Sequence, residues 1–337
     1  MNIIERIIVP EIFKLKSPIK NIHYYSYAET ISQEEVFGVD INNKYKYIIE
    51  FDIKEDKYFK LLSKSNFSNI NYHNISIKDD NGVELLYRKM LFPHVKLFIH
   101  FIEKNNIIIF YVNKIYFYLI KWKIENILPP GIHLRNLTYM LLLKDGILSL
   151  HASAFATDKN KACLIFGLPN TGKTMTVLRA MEDSAYYLSE DVSVVKDGFV
   201  YSTPYTATNY HNKFKWLGPF SYFISPKIPL SFNFKGKILP KAKLKYTIII
   251  EPSQKEEIIK ISAKDVLEKI LLLNKYVFDW SNDKLILLKL YYLNKSYLDI
   301  INTEKELIKY NIKNSKTFIV RTNDPAKIYD MIKSILQ

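Results

Sequence analysis

The sequence is poor in cysteine, and this excludes two common kinds of site. Cys163 is its single cysteine, so neither an internal disulfide framework nor a cysteine-built metal site can form. Cys163 stands in the apolar run ACLIF. A thiol in such a run is expected to be a buried core residue.

Arginine is scarce as well, although the chain is strongly basic. Only five of the 48 basic residues are arginine, and the formal net charge is +14. A charge of this size suits a nucleic acid or an anionic membrane surface. However, bidentate recognition of bases and phosphates prefers arginine, and the lysines are scattered without a tight basic run. We therefore expect no nucleic acid as the main partner.

A long uninterrupted apolar segment is also missing. The most apolar stretch, residues 107–123, is interrupted by Asn113, Lys114 and Lys121, which makes it too polar to span a bilayer. Its alternating Tyr and Phe residues predict strands instead. The N-terminus lacks the order of charge, apolar core and small residues that marks a signal peptide. The sequence therefore predicts a cytoplasmic protein without a membrane span.

Length and composition indicate two domains. The chain has 337 residues, of which 48% are hydrophobic and 24% charged, and this is enough for two globular cores. Residues 1–125 contain aromatic and β-branched runs, which predict a β-rich N-terminal domain with a role in acceptor recognition. Pro129-Pro130-Gly131 marks a boundary. Residues 126–337 mix strand and helix patterns and form the second predicted domain.

The second domain has a clear order of predicted elements. Among them, a lysine-rich segment between Lys235 and Lys245 is predicted to be either a mobile segment near the phosphate acceptor or a solvated surface loop. The other predicted elements are a helix ending near Gly146, a continuous strand ILSLHASAFAT, its hairpin partner KACLIF, a helix from Lys173 to Glu182, a strand at Tyr186–Ser189, a hairpin turning at Asp197-Gly198, a strand at Tyr246–Glu251, mostly helical residues 264–310, a strand TFIVRTND and a terminal helix with Asp324 as N-cap.

A complete phosphate-binding loop lies between KACLIF and the helix that follows. The sequence GLPNTGKT fits the pattern G-x-x-x-x-G-K-[ST]. Loop amides and the helix N-terminus would donate to phosphate, the lysine would reach the β and γ phosphates, and the last threonine could ligate Mg²⁺. The predicted nucleotide-binding residues are Gly167, Leu168, Pro169, Asn170, Thr171, Gly172, Lys173 and Thr174.

Two further features are candidates for the chemistry. Glu190 and Asp191 follow an apolar strand, and if that strand is parallel to the strand before the loop, the acids reach the same sheet edge. One carboxylate could then hold Mg²⁺ and the other could accept a proton from a hydroxyl. An ordinary polar strand end is the alternative. His151 lies among small and apolar residues, where a lone histidine is more often a packing residue.

Together these motifs resemble the HPr kinase-like family, whose fold is related to that of phosphoenolpyruvate carboxykinase. The shared order is LHASAF, GLPNTGKT and LSED, followed by a hairpin and a Pro-containing loop. The resemblance covers residues 134–204 well, is weak beyond them and is not evident before residue 125. It implies an α/β P-loop kinase domain of the HPr kinase/phosphoenolpyruvate carboxykinase type.

The resemblance also implies roles for individual residues. Glu190 matches the general base that acts on a serine hydroxyl, and Asp191 matches the acid that binds the metal. Thr174 matches the loop hydroxyl on Mg²⁺, Lys173 acts on the phosphates, and His151 assists at the acceptor site. ATP and Mg²⁺ are the implied substrate and cofactor. Relatives often form rings, which leaves a homo-oligomer open for this chain.

Three features depart from the family pattern. Asp is usual where Glu190 stands, and the loop has Pro169-Asn170-Thr171 where Ser and small residues are usual. The chain contains no Arg-Gly pair, which the bifunctional HPr kinase/phosphorylase has after the acids. It therefore looks closer to stand-alone kinases that phosphorylate a serine of a peptide or small protein, including those that modify lasso peptides.

The sequence thus predicts ATP- and Mg²⁺-dependent phosphoryl transfer to a hydroxyl, with a serine of a peptide or small protein as the expected acceptor. Two alternatives stay open. The same residues could serve a kinase of a small hydroxylated metabolite. A nucleotide-binding regulatory protein without transfer activity is the other alternative, and the Glu at position 190 keeps it open.

Overall fold

The computed structural model shows a mixed α/β protein with two large mixed sheets and several helices. Within the described part of the chain, no helix combines the length and the apolar character that crossing a membrane requires. The structure describes residues 4–17, 45–65, 70–72, 75–79, 83–121, 130–190, 192–203, 205–206, 228–229, 237–277, 283–292 and 295–336.

The first sheet comes from the N-terminal part of the chain. Its strands are β1 (Ile4–Val9), β2 (Phe13–Ser17), β3 (Tyr47–Lys54), β4 (Ile70–Tyr72), β5 (Ile75–Asp79), β6 (Val83–Phe92), β7 (Val95–Lys104) and β8 (Ile107–Asn113). They lie in the order β1-β2-β3-β8-β7-β6-β5-β4. β2, β3 and β8 run parallel, and the other neighbours are antiparallel. This part of the chain is β-rich as predicted, while the domain boundary near residue 125 stays a prediction.

One expectation for this part is wrong. The aromatic run after residue 107 was predicted to be all strand, but only β8 is extended, and helix α2 (Lys114–Lys121) follows it directly. The change occurs at Asn113, whose side-chain Oδ1 accepts from the backbone N–H of Tyr116 at 3.3 Å. Asparagine is a favoured N-cap, because its side chain satisfies an N–H of the first helical turn. An earlier helix, α1 (Asp56–Lys64), packs on β7.

The second sheet contains the strands of the predicted kinase part. They are β9 (Leu148–Leu150), β10 (Ser153–Asp158), β11 (Lys161–Phe166), β12 (Tyr186–Ser189), β13 (Ser193–Lys196), β14 (Phe199–Tyr201), β17 (Lys241–Glu251), β18 (Glu257–Ile261) and β19 (Lys316–Arg321); β15 (Tyr205–Thr206) and β16 (Ile228–Pro229) form a separate pair. The main path runs β12-β10-β11-β17-β14-β13-β9, and β19 pairs with both β17 and β18. β11, β17 and β19 are parallel, so their carboxyl ends meet at one sheet edge.

Helices cover both faces of this sheet. They are α3 (Pro130–Lys144), α4 (Lys173–Glu182), α5 (Ala263–Val277), α6 (Lys284–Tyr292), α7 (Tyr297–Ile312) and α8 (Ile328–Leu336). On one face, α4 and α8 bury Val177 and Ile332 against Phe155 and Cys163. Cys163 is 1% exposed, and burial raises the pKa of its thiol. The predicted buried cysteine is therefore confirmed.

The predicted strand ILSLHASAFAT is not continuous. It forms two strands, β9 and β10, which take different partners: β9 pairs with β13, and β10 lies between β11 and β12. His151 and Ala152 form the break, where the backbone N–H of Ala152 donates to the carbonyl of Leu150 at 2.8 Å. The hairpin of β10 with β11 is as predicted. His151 therefore lies in a tight turn and not within a strand.

The lysine-rich lead-in was also interpreted wrongly. Lys241 and Lys243 belong to β17, where they pair with β14, and Lys241 also forms an ion pair with Glu11. These residues are at the amino end of β17, opposite the edge at which β11 leads into the phosphate loop. Lys235 lies outside the described residues. Lys241, Lys243 and Lys245 are thus strand residues, whereas Lys237 precedes the strand and donates to the carbonyl of Met181, at the end of α4, at 2.9 Å.

The terminal helix begins later than predicted. Asp324 does not cap a helix at Pro325; its Oδ1 accepts from the backbone N–H of Ala326 at 2.9 Å, and a turn precedes α8 at Ile328. The short side chain of Asp favours such a local turn. This turn lies against the phosphate loop at Gly172.

Candidate active site

The phosphate loop connects β11 to α4, as its pattern predicts. Gly172, the last residue before the helix, has φ +93°, a left-handed conformation that glycine adopts without steric cost. At Gly167 a Cβ would lie 2.7 Å from Thr171 Oγ1 and 3.3 Å from the carbonyl of Ile250. The chain therefore passes very close to itself at both glycines. Such a loop leaves room for a phosphate group and points helix N–H groups at it.

Lys173 is held inside this loop. Its ammonium donates to the carbonyls of Gly167 at 2.7 Å and Leu168 at 2.9 Å, and the residue is 6% exposed. A positive charge thus lies within the curve of the loop, where the phosphates of a nucleotide would bind. The residues present fit a nucleotide phosphate group in backbone shape and in charge.

Thr174 and Glu190 are in direct contact, although 16 residues separate them. The Thr174 hydroxyl donates to Glu190 Oε1 at 2.9 Å. β12 is antiparallel to β10, which is antiparallel to β11, so β12 and β11 point the same way with β10 between them. The predicted meeting at one sheet edge is therefore confirmed for Glu190, which is 3% exposed. A hydroxyl beside a carboxylate is a donor set that suits Mg²⁺.

Asp191, the second acid of the pair, lies outside the described residues, and its metal-binding role stays a prediction. The segment after it is well anchored. The Ser193 hydroxyl donates to the carbonyl of Ala152 at 2.9 Å, and the Thr203 hydroxyl donates to the carbonyl of Val192 at 2.8 Å. The first of these bonds ties the segment after the acids to the turn that contains His151.

His151 lies at the same sheet edge as the loop. Ser153, two residues later, pairs with Ile165 of β11, and Ala154 pairs with Ser189 of β12. The start of β10 therefore stands between the end of the loop strand and the end of the strand that leads to Glu190. His151 is 6% exposed. The structure thus gathers His151, the loop and Glu190 along one edge.

Sequence reasoning missed the residues that support this edge from behind. The backbone N–H of His151 donates to Asn274 Oδ1 at 2.9 Å, across 123 positions of sequence. Pro325 and Ile328 contact the loop, since a Cβ added to Gly172 would lie 2.9 and 3.1 Å from their side chains. The sequence signal for the contact with His151 was Asn274 itself, a polar residue within the apolar helical run LLLNKYV. No local signal marks the second.

The neighbouring strand ends carry a cluster of charges. Arg321, at the end of β19, donates to Glu251 at 3.0 Å and to Glu257 at 3.0 Å. Burial would raise the pKa of Glu251, but hydrogen bonds from Lys269 and Arg321 overcome this and hold the pKa below its usual range. Glu251 directly follows Ile250, whose carbonyl faces Gly167. The ion pairs therefore anchor the strand that supports the loop.

Comparisons with known proteins add little to this picture. No protein-family model matches the chain, and no curated protein matches it in sequence. Among solved structures, it is similar to the Hpr(Ser) kinase/phosphatase from Coxiella burnetii at 10% identity, covering 56% of this chain and 89% of that one with a TM-score of 0.29. A TM-score of this size does not establish a common fold. The family resemblance therefore continues to rest on the motifs.

Proposed function

We propose that this chain is an ATP- and Mg²⁺-dependent kinase that transfers a phosphoryl group to a hydroxyl, with a serine of a peptide or small protein as acceptor. The observation that carries the proposal is the contact between Thr174, at the end of a complete phosphate loop, and Glu190, at the end of a separate strand. A phosphate loop alone indicates only nucleotide binding. A carboxylate at its last hydroxyl adds a group for metal binding or proton transfer.

Each residue has a proposed task. Lys173 would give up its bonds to the loop carbonyls and donate to the β and γ phosphates, while the loop amides hold the same oxygens. Thr174 and Asp191 would hold Mg²⁺, and the bound ion would neutralise negative charge on the phosphates. Glu190 would accept the proton of the acceptor hydroxyl, and His151 would assist at the acceptor. Positioning and charge, more than covalent chemistry, would lower the barrier.

The direct test is to incubate the purified full chain with ATP and Mg²⁺ and to measure ADP, with and without acceptors. Serine-containing peptides and small hydroxylated metabolites form the two acceptor sets, and mass spectrometry identifies the phosphorylated product. Peptide phosphorylation supports the proposal. A phosphorylated metabolite would replace the acceptor class. Nucleotide binding without any ADP would instead favour the regulatory alternative.

Lys173 provides the matched variant. We expect Lys173→Ala to abolish detectable ADP formation, because the loop loses the charge that faces the phosphates. Circular dichroism should show an intact fold. Lys161→Ala is the control, since Lys161 is an exposed residue at the opposite end of β11. Near wild-type turnover in Lys173→Ala would show that the loop assignment is wrong.

A further inference from the structure

A buried polar cluster lies behind the turn that contains His151. Asn274 of α5 accepts the His151 N–H, and its amide donates to Glu304 Oε1 at 2.6 Å. The Tyr139 hydroxyl of α3 donates to the same Glu304 oxygen at 2.6 Å. Tyr139 and Asn274 are fully buried, and Glu304 of α7 is 8% exposed. Three helices therefore converge, through hydrogen bonds, on one backbone group of the candidate site.

The geometry of the turn explains why this group needs a partner. Because β9 and β10 separate at His151, its N–H leaves the strand ladder and is bound by Asn274 instead. The next residue is held from the other side, where Ser193 donates to the Ala152 carbonyl. A buried N–H without an acceptor is unfavourable. The turn is thus fixed between the helical layer and the segment that follows the acid pair.

Packing alone would not require these residue types. The surrounding core is apolar, and leucine or methionine would fill the same space at a helix–helix contact. The Tyr139 hydroxyl, Glu304 Oε1 and both polar atoms of the Asn274 amide form hydrogen bonds, and the chain of bonds ends at the backbone of the candidate histidine. We propose that Asn274, Glu304 and Tyr139 are positioning residues that set the orientation of His151 at the site. The inference deepens the proposed kinase function and rests on it for the role of His151.

The test first removes the hydrogen-bond donor at position 274 and then exchanges donor and acceptor between positions 274 and 304. In Asn274→Asp, one oxygen still accepts the His151 N–H, but the other faces the Glu304 carboxylate where the amide had donated. Two carboxyl groups this close share a proton at low pH and repel each other once both are ionised. In the double variant Asn274→Asp/Glu304→Gln, the amide and the carboxylate exchange positions. The amide nitrogen introduced at position 304 takes the place of the oxygen that Tyr139 and Asn274 share, so its two N–H groups can donate to the carboxylate at position 274 and to the Tyr139 oxygen. The Tyr139 proton can then turn towards position 274, where the side-chain nitrogen lies 3.5 Å from the hydroxyl in the wild type, and the contacts should be restored.

The readouts include one that does not depend on activity. NMR of the imidazole signals, assigned among the seven histidines by comparison with His151→Gln, reports the environment and titration of His151, and hydrogen exchange reports its amide. Activity is ADP formation from ATP and Mg²⁺ with water as acceptor. Asn311→Asp is the matched control. Asn311, on α7, is buried like Asn274, and its Oδ1 accepts the N–H of Gly198, which lies in a turn at the opposite sheet edge.

We expect the turnover of Asn274→Asp, relative to wild type, to fall roughly tenfold between pH 6 and pH 9. The His151 signal should shift and its amide should exchange faster, with nucleotide affinity unchanged. The double variant should recover the turnover, the His151 signal and the slow exchange of the His151 amide. Asn311→Asp should alter none of these three quantities. The proposal would be overturned if the His151 signal of Asn274→Asp matched that of Asn311→Asp. It would also be overturned if the double variant had a turnover as low as that of Asn274→Asp. Absence of ADP formation in wild type with water, peptides and metabolites alike would refute the kinase function, and the NMR comparison would still decide the positioning role.

Discussion

At the scale of single residues, Glu190 shows how one methylene group changes a site. The related pattern has Asp at this position, but here the longer side chain ends 2.9 Å from the Thr174 hydroxyl. An Asp on the same backbone would end one carbon earlier. The Glu is therefore matched to the distance between the end of β12 and the first turn of α4. This contact joins the carboxylate at the end of β12 to the phosphate-loop helix.

Two substitutions at Glu190 should differ in kind. Glu190→Gln can still accept from Thr174 but cannot accept a proton, so turnover should fall by roughly 10²-fold or more with nucleotide affinity kept. Glu190→Asp should lose the contact with Thr174 and weaken turnover because its carboxylate falls short. Titration with nucleotide and measurement of ADP separate the two effects.

Glu182→Gln, an exposed change at the other end of α4, is the control for both Glu190 variants. Full turnover in Glu190→Gln would remove Glu190 from the mechanism and leave His151 or Asp191 as the candidate base. Turnover of Glu190→Asp equal to or above that of wild type would show that the site accepts the shorter acid.

At the scale of elements, the phosphate loop depends on the turn before α8. Gly172 has φ +93°, and a Cβ there would lie 2.9 Å from Pro325. Gly198, in the β13–β14 turn, has φ +74° with nothing within 4 Å. Both glycines have a backbone conformation that is unfavourable for other residues, but only Gly172 is also crowded by a neighbouring side chain. They therefore form a natural pair for comparison.

We expect Gly198→Ala to lower the free energy of unfolding by about 1 kcal/mol, from backbone conformation alone. Gly172→Ala should cost roughly 2 kcal/mol or more and should also weaken nucleotide binding, because the turn at Pro325 must move away. Urea denaturation and nucleotide titration measure both quantities. Equal losses of stability at the two sites, with nucleotide affinity intact, would contradict the importance of the contact.

The packing of α1 on the first sheet should make stability depend on pH. Tyr58 of α1 hydrogen-bonds His100 Nδ1 of β7 at 2.7 Å, and burial lowers the pKa of His100 to about 4 from 6.5. Glu84 lies 3.7 Å from the other ring nitrogen and would favour the charged form, but burial dominates. The folded protein therefore holds His100 neutral, with Nδ1 hydrogen-bonded to the Tyr58 hydroxyl.

The direction of the pH effect follows from proton binding. Between pH 6.5 and about 4 the unfolded chain binds a proton at His100 that the folded protein does not, so stability falls as the pH falls through this window. The slope is at most about 1.4 kcal/mol per pH unit. His100→Asn, which can still accept from Tyr58, should flatten this dependence in denaturation curves. An unchanged slope in that variant would assign the acid sensitivity to other groups.

At the scale of the whole molecule, the two sheets share one core. A single cluster of buried residues includes Phe101 of the first sheet as well as Leu141 and Ile286 of the helices that cover the second. Charged contacts cross the same junction: Lys289 lies 3.3 Å from Glu103, and Lys144 lies 3.1 Å from the same carboxylate. We therefore expect the described parts to unfold together.

The two lysines offer a test of this junction. The Lys289 side chain is 8% exposed and also lies over the Phe101 ring, whereas the Lys144 side chain is 59% exposed. Lys289→Met should lower the free energy of unfolding by about 1–2 kcal/mol. Lys144→Met should change it by less than about 0.5 kcal/mol. Chemical denaturation measures both, and similar effects for the two would show that burial of Lys289 at the junction contributes nothing.

Short-range features of this protein follow from the sequence alone. The phosphate loop, the helix that begins at Lys173 and the turn at Asp197-Gly198 were all predictable, because glycine conformations and helix signals act over a few residues. The strand at Tyr186–Ser189 was predictable from its apolar run. Such features need no knowledge of which distant segment lies beside them.

Long-range features were decided by tertiary structure. The residues on both sides of His151 have the same apolar pattern, and the strand breaks there only because β9 and β10 pair with different strands. Glu190 reaches Thr174 because β10 lies between β11 and β12. Asn274 supports His151 from 123 positions away. Local sequence specifies which backbone conformation is favourable, whereas the choice of partner depends on burial and hydrogen bonding across the whole core.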